Sequence, residues 1–279
     1  MNIKINLVAD IIKLLLEEIN KLEANGFLFK KYDHWKKEYL ISLQQQKEEL
    51  LKKGKCTKII SKKFDNAYIK GKLERDRVFT YMDLKSKIIE PRARAIKYSN
   101  SFACPSYLKN GLDFLESKIK KGQSLFPHLS RGIFNAENQD GMLYDWGIHH
   151  LHLGTKQDKK NKRLIQGTKQ IVYAVFDKEF AYLIAISNHG RWADKNLMRV
   201  ILKDFPHLIE PHKLMGISGG GDDCYSEKEH IILRKAGVIP ITEIDGVCYA
   251  PPGGGIVGSG GSMTAINGIQ QIIYLVQRS

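Results

Sequence analysis

The chain has 279 residues, 43% of them hydrophobic and 27% charged, and its 44 Lys and Arg outweigh 30 Asp and Glu for a formal net charge of +14. That length can bury a sizeable core, and the composition excludes an intrinsically disordered chain. No apolar run reaches the ~18 residues of a membrane span, and the charge points to a polyanionic partner such as nucleic acid, with a lysine-rich solvated surface as the plain alternative.

Leu7, Ile11, Leu14, Leu15, Ile19 and Leu22 fall at helical spacing, and Asn25-Gly26 stops that helix. Asp10, Glu17 and Glu18 interrupt the apolar centre that a secretory signal needs. A second helix is expected from about Asp33 to Lys53, giving a helical hairpin over 1–55. The basic stretch that follows contains KCTKIISKKF and RVFTYMDL, each readable as a short strand or as loop. Pro105 opens a helix that Gly122 closes, and QSLFPHLSRGIF reads as a short helix or turn. Residues 56–135 are thus a mixed, mostly helical connector.

Beyond it, GIHHLHLG, KQIVYAVFD and FAYLIAISNHG read as strands, the last two as a hairpin. Asp194 caps a helix that ends before Pro206, and EKEHIILRKAG is another. ITEI-DG-VCYA is a hairpin with a type I′ turn. MTAINGIQQIIYLVQRS is a final helix with Ser262 as its cap. The fold expected is α+β: a helical N-terminal region, then a mainly antiparallel sheet flanked by helices, with 136–279 as the catalytic domain.

Three of the nine histidines lie in DWGIHHLHLG. Strand alternation puts His150 and His152 on one face about 7 Å apart and His149 on the other with Leu151 and Leu153. His189 ends a later apolar strand and is followed by Arg191 and Trp192. Arg163, Lys156 and Lys169 lie in or beside the basic loop between them. Three readings stay open. The histidines are satisfied core residues; or His150, His152 and His189 ligate zinc or another divalent ion; or they cleave RNA without metal. RNA carries its own nucleophile, so the third chemistry needs only a base, an acid and cations. Imidazole serves either proton role near neutrality. Arg163, Lys169 and Arg191 would hold phosphate, and Trp192 or Tyr173 would stack a base.

The run HLSRGIF…QDGMLYDWGIHHLHLG, then IVYAVFD…AYLIAISNHGRW, resembles a group of uncharacterised bacterial proteins with a D-W-G-I-H-H-L-H-L core, over roughly residues 90 to 275. That resemblance implies no activity. At fold level the chain is also similar to the barnase–EndoU–colicin–RelE class of ribonuclease toxins, which implies a helical N-terminal part, a small sheet and a dispersed His, Arg and Lys site. PPGGGIVGSGGS lacks the lysine of a phosphate-binding P-loop and reads as a connector; SGGGDD, with Asp222 and Asp223, reads as a solvated loop. Cys56, Cys104, Cys224 and Cys248 are too scattered for a zinc knuckle.

The function expected is a metal-independent endoribonuclease, a bacterial toxin or defence component. His150, His152 and His189 are its catalytic residues, and Arg163, Lys169, Arg191 and Trp192 its substrate contacts. It needs no cofactor, works in the cytoplasm on RNA, makes no membrane contact and is restrained by an antitoxin or other protein partner. The alternatives are a nucleic-acid-binding or partner-binding protein with structural histidines, and a metallohydrolase ligated by the same three histidines.

Overall fold

The computed structural model describes residues 7–27, 66–190, 193–218, 225–238, 240–258 and 261–278, with single helical positions at 41, 45, 48, 49 and 52. Most of the helix expected at 33–53, all of KCTKIISKKF, and Arg191 and Trp192 lie outside the described residues. The chain is α+β and forms two compact units. One comprises Met1–Lys85, Phe134–Asn138 and Ala265–Ser279; the other comprises Ser86–Ile133 and Gln139–Thr264.

In the first unit, α1 (Leu7–Ala24) buries Ile19 on its apolar stripe. It meets α2 (Asn66–Ser86) through Arg77, whose guanidinium lies 2.7 Å from Glu23. Phe27 packs on Phe134 with ring centroids 4.9 Å apart. RVFTYMDL is helical, within α2, rather than strand or loop. Its β-branched and aromatic residues favour a strand locally, but burial of Val78 and Leu84 on a helix overrides that preference. Thr80 donates its hydroxyl to the Asp76 carbonyl four residues back, as helical serines and threonines do.

The second unit is built on a four-stranded sheet in the order β1-β4-β3-β2. β1 (Ala95–Tyr98) runs parallel to β4 (Phe180–Asn188). β4 and β3 (Gln170–Phe176) form the expected hairpin, with a bulge after Tyr173, and β2 (His149–His152) is the antiparallel edge strand. So the sheet recruits one strand from the segment read as connector. Asp177 makes the β3–β4 turn, its carboxylate accepting the amides of Glu179 and Phe180.

On one face lies α3 (Lys109–Lys120), whose Gly111 touches the chain after β2. A Cβ there would stand 1.8 Å from the Leu153 carbonyl oxygen, so only glycine permits this approach. Gly154 is under the same constraint, because a Cβ would stand 2.1 Å from the Gln166 carbonyl. The other face carries the main core: Ile148, Ile171, Tyr173, Tyr182 and Ile184 of the sheet pack against Leu197, Met198 and Ile201 of α5 (Lys195–Asp204). Asp194 caps α5 as expected, accepting the Asn196 amide. A second sheet, ordered β5-β7-β6, contains β5 (Lys213–Ser218), β6 (Thr242–Ile244) and β7 (Val247–Tyr249). The β6–β7 turn has Asp245 and Gly246 at φ 53° and 80°, both in the left-handed region that a type I′ turn demands.

The short helix α4 (Gly141–Trp146) fixes the entry to β2. Trp146 is buried and donates its indole N–H to Thr242 of β6. Gly147 ends α4 at φ 69°, a left-handed cap that turns the chain into β2. Asp145 is fully buried. It accepts from Arg234 Nε at 2.5 Å and lies 3.1 Å from His230 Nε2, both on α6 (Glu227–Lys235). The glycine-rich segment finishes the cap: Gly253 and Gly255 donate their amides to the carbonyls of Asp145 and Tyr144. A Cβ on Gly253 would stand 2.2 Å from the Leu143 carbonyl, so PPGGG packs its backbone directly on the end of α4.

Removing Asp145 takes from the buried Arg234 guanidinium and the His230 ring a carboxylate that both meet. Asp145→Ala should therefore lower stability by about 3–5 kcal/mol, read from urea unfolding, and adding Arg234→Met should restore much of the loss. Unchanged stability in the single variant would contradict a structural ion pair.

Candidate functional site

The register of three strands brings the histidines together. His152 stands opposite Ile171 and His150 opposite Tyr173, so both imidazoles share the face of those residues. Ile171 in turn stands opposite Ser187 on β4. His189 follows two residues later and so emerges on the same side, its amide donating to the Lys169 carbonyl at 3.0 Å. The His189 ring centroid is 5.8 Å from that of His150, nearly perpendicular, and 5.6 Å from that of His152, nearly parallel at 13°. His150 and His152 are half-buried and His189 is exposed, so the cluster opens to solvent through His189.

Each ring has a distinct environment. Asp140, which sequence reasoning left without a role, caps α4 by accepting the Leu143 amide through Oδ1 and turns Oδ2 to within 3.5 Å of His150 Nδ1. His152 Nδ1 accepts the Thr168 amide at 3.0 Å. Burial, then the neighbouring His189 and His150 rings, hold its pKa down at about 4. The His152 carbonyl accepts from His128 Nδ1 at 2.8 Å, and burial holds His128 at about 4 as well. His149, on the opposite face, lies edge-on to Phe176 at 5.6 Å and is likewise lowered by burial to about 4. His189 is lowered too, by burial and then by His150.

The cationic side chains lie beside this cluster along the chain. Lys156, Lys159, Lys160, Lys162, Arg163 and Lys169 are all exposed in the connection between β2 and β3. Asp158 organises that loop from inside. It is buried, accepts the amides of Lys160 and Asn161 through one oxygen, and takes the Arg131 guanidinium on the other at 2.5 Å. The Arg131 pairing and these amides hold its carboxyl well down, at about 2. The loop is closed by a bridge between Gln157 and Ile165 and by the Asp158 amide donating to the Leu164 carbonyl.

Tyr173 does not stack a base: it is fully buried, and its hydroxyl donates to the Asn188 carbonyl. Arg191 and Trp192 lie outside the described residues, as do Asp222 and Asp223. Among the described residues, no group of three His, Cys, Asp or Glu side chains is arranged to hold a metal ion, His150, His152 and His189 included. What the sequence did not reveal was Asp140 and the buried Asp145–His230–Arg234 set. Asp140 sits in QDGML, a cap signal before a short helix; the buried set joins positions 85 and 89 residues apart and leaves no local signal.

Comparison with protein-family models, curated proteins and solved structures found no match to this chain. The first resemblance drawn above therefore rests on its motifs alone, and the second on the order of elements and of His, Arg and Lys residues along the chain.

His128, His149 and His152 give the fold a defined acid sensitivity. In the unfolded chain they take up protons near 6.5, but in the fold only near 4. Between those values the unfolded state binds more protons. The stability these rings contribute is present in full above about 6.5 and is lost as pH falls from there through about 4. The urea midpoint should drop across that window, and His149→Gln should flatten the drop. A midpoint that stays level from pH 7 to 4 would contradict neutral burial.

Proposed function

We propose that this protein is a metal-independent endoribonuclease whose site is the His150–His152–His189 cluster. The observation that carries the reading is the convergence of three imidazoles, at ring separations of 5.6 and 5.8 Å, at a sheet edge continuous in sequence with an exposed cationic loop. Transesterification of RNA needs a base at the 2′-hydroxyl, an acid at the leaving oxygen and positive charge for the phosphorane. His150, whose Nδ1 lies 3.5 Å from Asp140 Oδ2, takes the part of the base. His189 is the exposed ring and the one placed to deliver a proton. Arg163, Lys169 and Arg191 supply charge for phosphate, and Trp192 stacks a base. The reading includes a toxin or defence role on cytoplasmic RNA, with an inhibitor protein as partner. Among the described residues no helix is long and apolar enough to cross a membrane.

A second reading, a nucleic-acid-binding protein with structural histidines, is favoured by the hydrogen bonds that tie His152 and His128 to backbone groups. Activity separates the two. In excess EDTA the protein should cut single-stranded RNA, and His150→Ala should slow cutting by about 10²–10⁴-fold without lowering the melting temperature to match. Because burial and His150 depress His189, the limb of kcat/KM that reports the proton donor should fall below the ordinary imidazole value of about 6.5. Activity lost in EDTA and restored by zinc would overturn the metal-free mechanism.

Charge gives an independent check. RNA affinity should fall steeply with salt, and Arg163→Ala and Lys169→Ala should each reduce the slope by about one unit. Affinity that does not respond to salt would count against phosphate contact by this loop.

A further inference from the structure

Thr168 decides which nitrogen of His152 carries a proton. A backbone amide can only donate, so the nitrogen it meets, Nδ1 at 3.0 Å, must present its lone pair. The single proton of the neutral ring is therefore on Nε2. Protonating the ring would put a second N–H against the Thr168 amide, breaking that hydrogen bond and opposing two donors.

The amide cannot easily swing away to permit this. The Thr168 hydroxyl donates to the Gln170 carbonyl at 2.5 Å and accepts the Leu153 amide at 3.1 Å, so the residue is held on both sides. The ring is fixed as well. It stacks on His189, its own carbonyl is gripped by His128, and Gly167 passes alongside with room for no more than an ordinary contact. A ring so constrained is a poor proton carrier and a well-positioned N–H donor.

We propose that His152 is a neutral hydrogen-bond donor to an anionic phosphate oxygen, its tautomer set by the Thr168 amide, and does not transfer a proton. The proposal rests on the ribonuclease reading of the same site. In the cleavage step, His150 takes the 2′-hydroxyl proton as the O2′–P bond forms. The P–O5′ bond breaks, and His189 gives its proton to the departing O5′. His152 keeps its Nε2 proton throughout and directs it at a non-bridging oxygen where charge accumulates. A neutral imidazole does this without competing for the protons that its two neighbours move.

The test uses the full chain labelled with ¹⁵N-histidine and inorganic phosphate as the probe. Long-range proton–nitrogen spectra at pH 7 should show His152 with an unprotonated Nδ1 and a protonated Nε2. Excess phosphate should shift the Nε2 proton downfield and leave the tautomer unchanged. A protonated Nδ1, or an Nε2–H that phosphate does not move, overturns the proposal whether or not RNA is cut. Absence of RNA cleavage with the spectra as expected would remove the ribonuclease reading and leave an anion-binding donor. Where RNA is cut, His152→Ala should lower kcat about 10²–10³-fold while both limbs of the pH profile remain. His152→Gln, whose amide nitrogen reaches the same position, should recover part of that loss. Loss of a limb in either variant would make His152 a proton carrier and overturn the proposal.

Discussion

A slip of one residue in the pairing of β2 with β3 would turn His150 and His152 to the opposite face and bring His149 and Leu151 onto theirs. The observed register, His150 opposite Tyr173 and His152 opposite Ile171, is thus the constraint on which the site depends. An edge strand of four residues with three histidines has little apolar patterning of its own to set register. The setting comes from its ends. Upstream, the buried Asp145–Arg234 pair, the Trp146 indole on Thr242 and the left-handed cap at Gly147 fix where the chain enters the strand. Downstream, Gly111 and Gly154 let α3 and the returning loop close on the Leu153–Gly154 backbone. The D-W-G and final glycine of the motif are therefore supports for the histidines between them.

Burial and charge act on His152 and His189 in the same direction. Withdrawal from water disfavours the imidazolium, and each neighbouring ring disfavours a second positive charge. The result is that His152 and His189 are biased toward neutrality in a chain with a formal charge of +14. An anion between the rings and the cationic loop would reverse the balance at His189, the exposed member, far more readily than at His152, whose Nδ1 is occupied. One cluster thereby contains groups suited to different tasks, and the differences arise from backbone contacts and exposure rather than from residue type.

Much of the fold was legible because its signals are local. Asp245-Gly246 between short apolar runs, Asp194 before an amphipathic stretch, and the β-branched and aromatic run in KQIVYAVFD each act within a few residues. The shared face of His150 and His152 also followed from strand alternation, but bringing His189 to the same side took the pairing of β2 with β3 and of β3 with β4. The parts that escaped depend on partners far along the chain. RVFTYMDL takes its helical state from burial within α2; β1 gains its place by pairing with Phe180–Leu183. Asp145 reads as an acidic residue beside a tryptophan until Arg234 and His230 are brought to it. Asp140 caps α4, but its second oxygen acquires meaning only when β2 turns back past it.

The central claim is that the imidazole cluster cuts RNA by activating the substrate's own 2′-hydroxyl. The most direct measurement uses an oligodeoxynucleotide that carries one ribonucleotide, incubated with the protein in excess EDTA. Cleavage is predicted at the single phosphate on the 3′ side of that ribose, leaving a 2′,3′-cyclic phosphate or its hydrolysed form. Cutting at phosphates next to deoxyribose, or products without a phosphate on the ribose, would contradict the account.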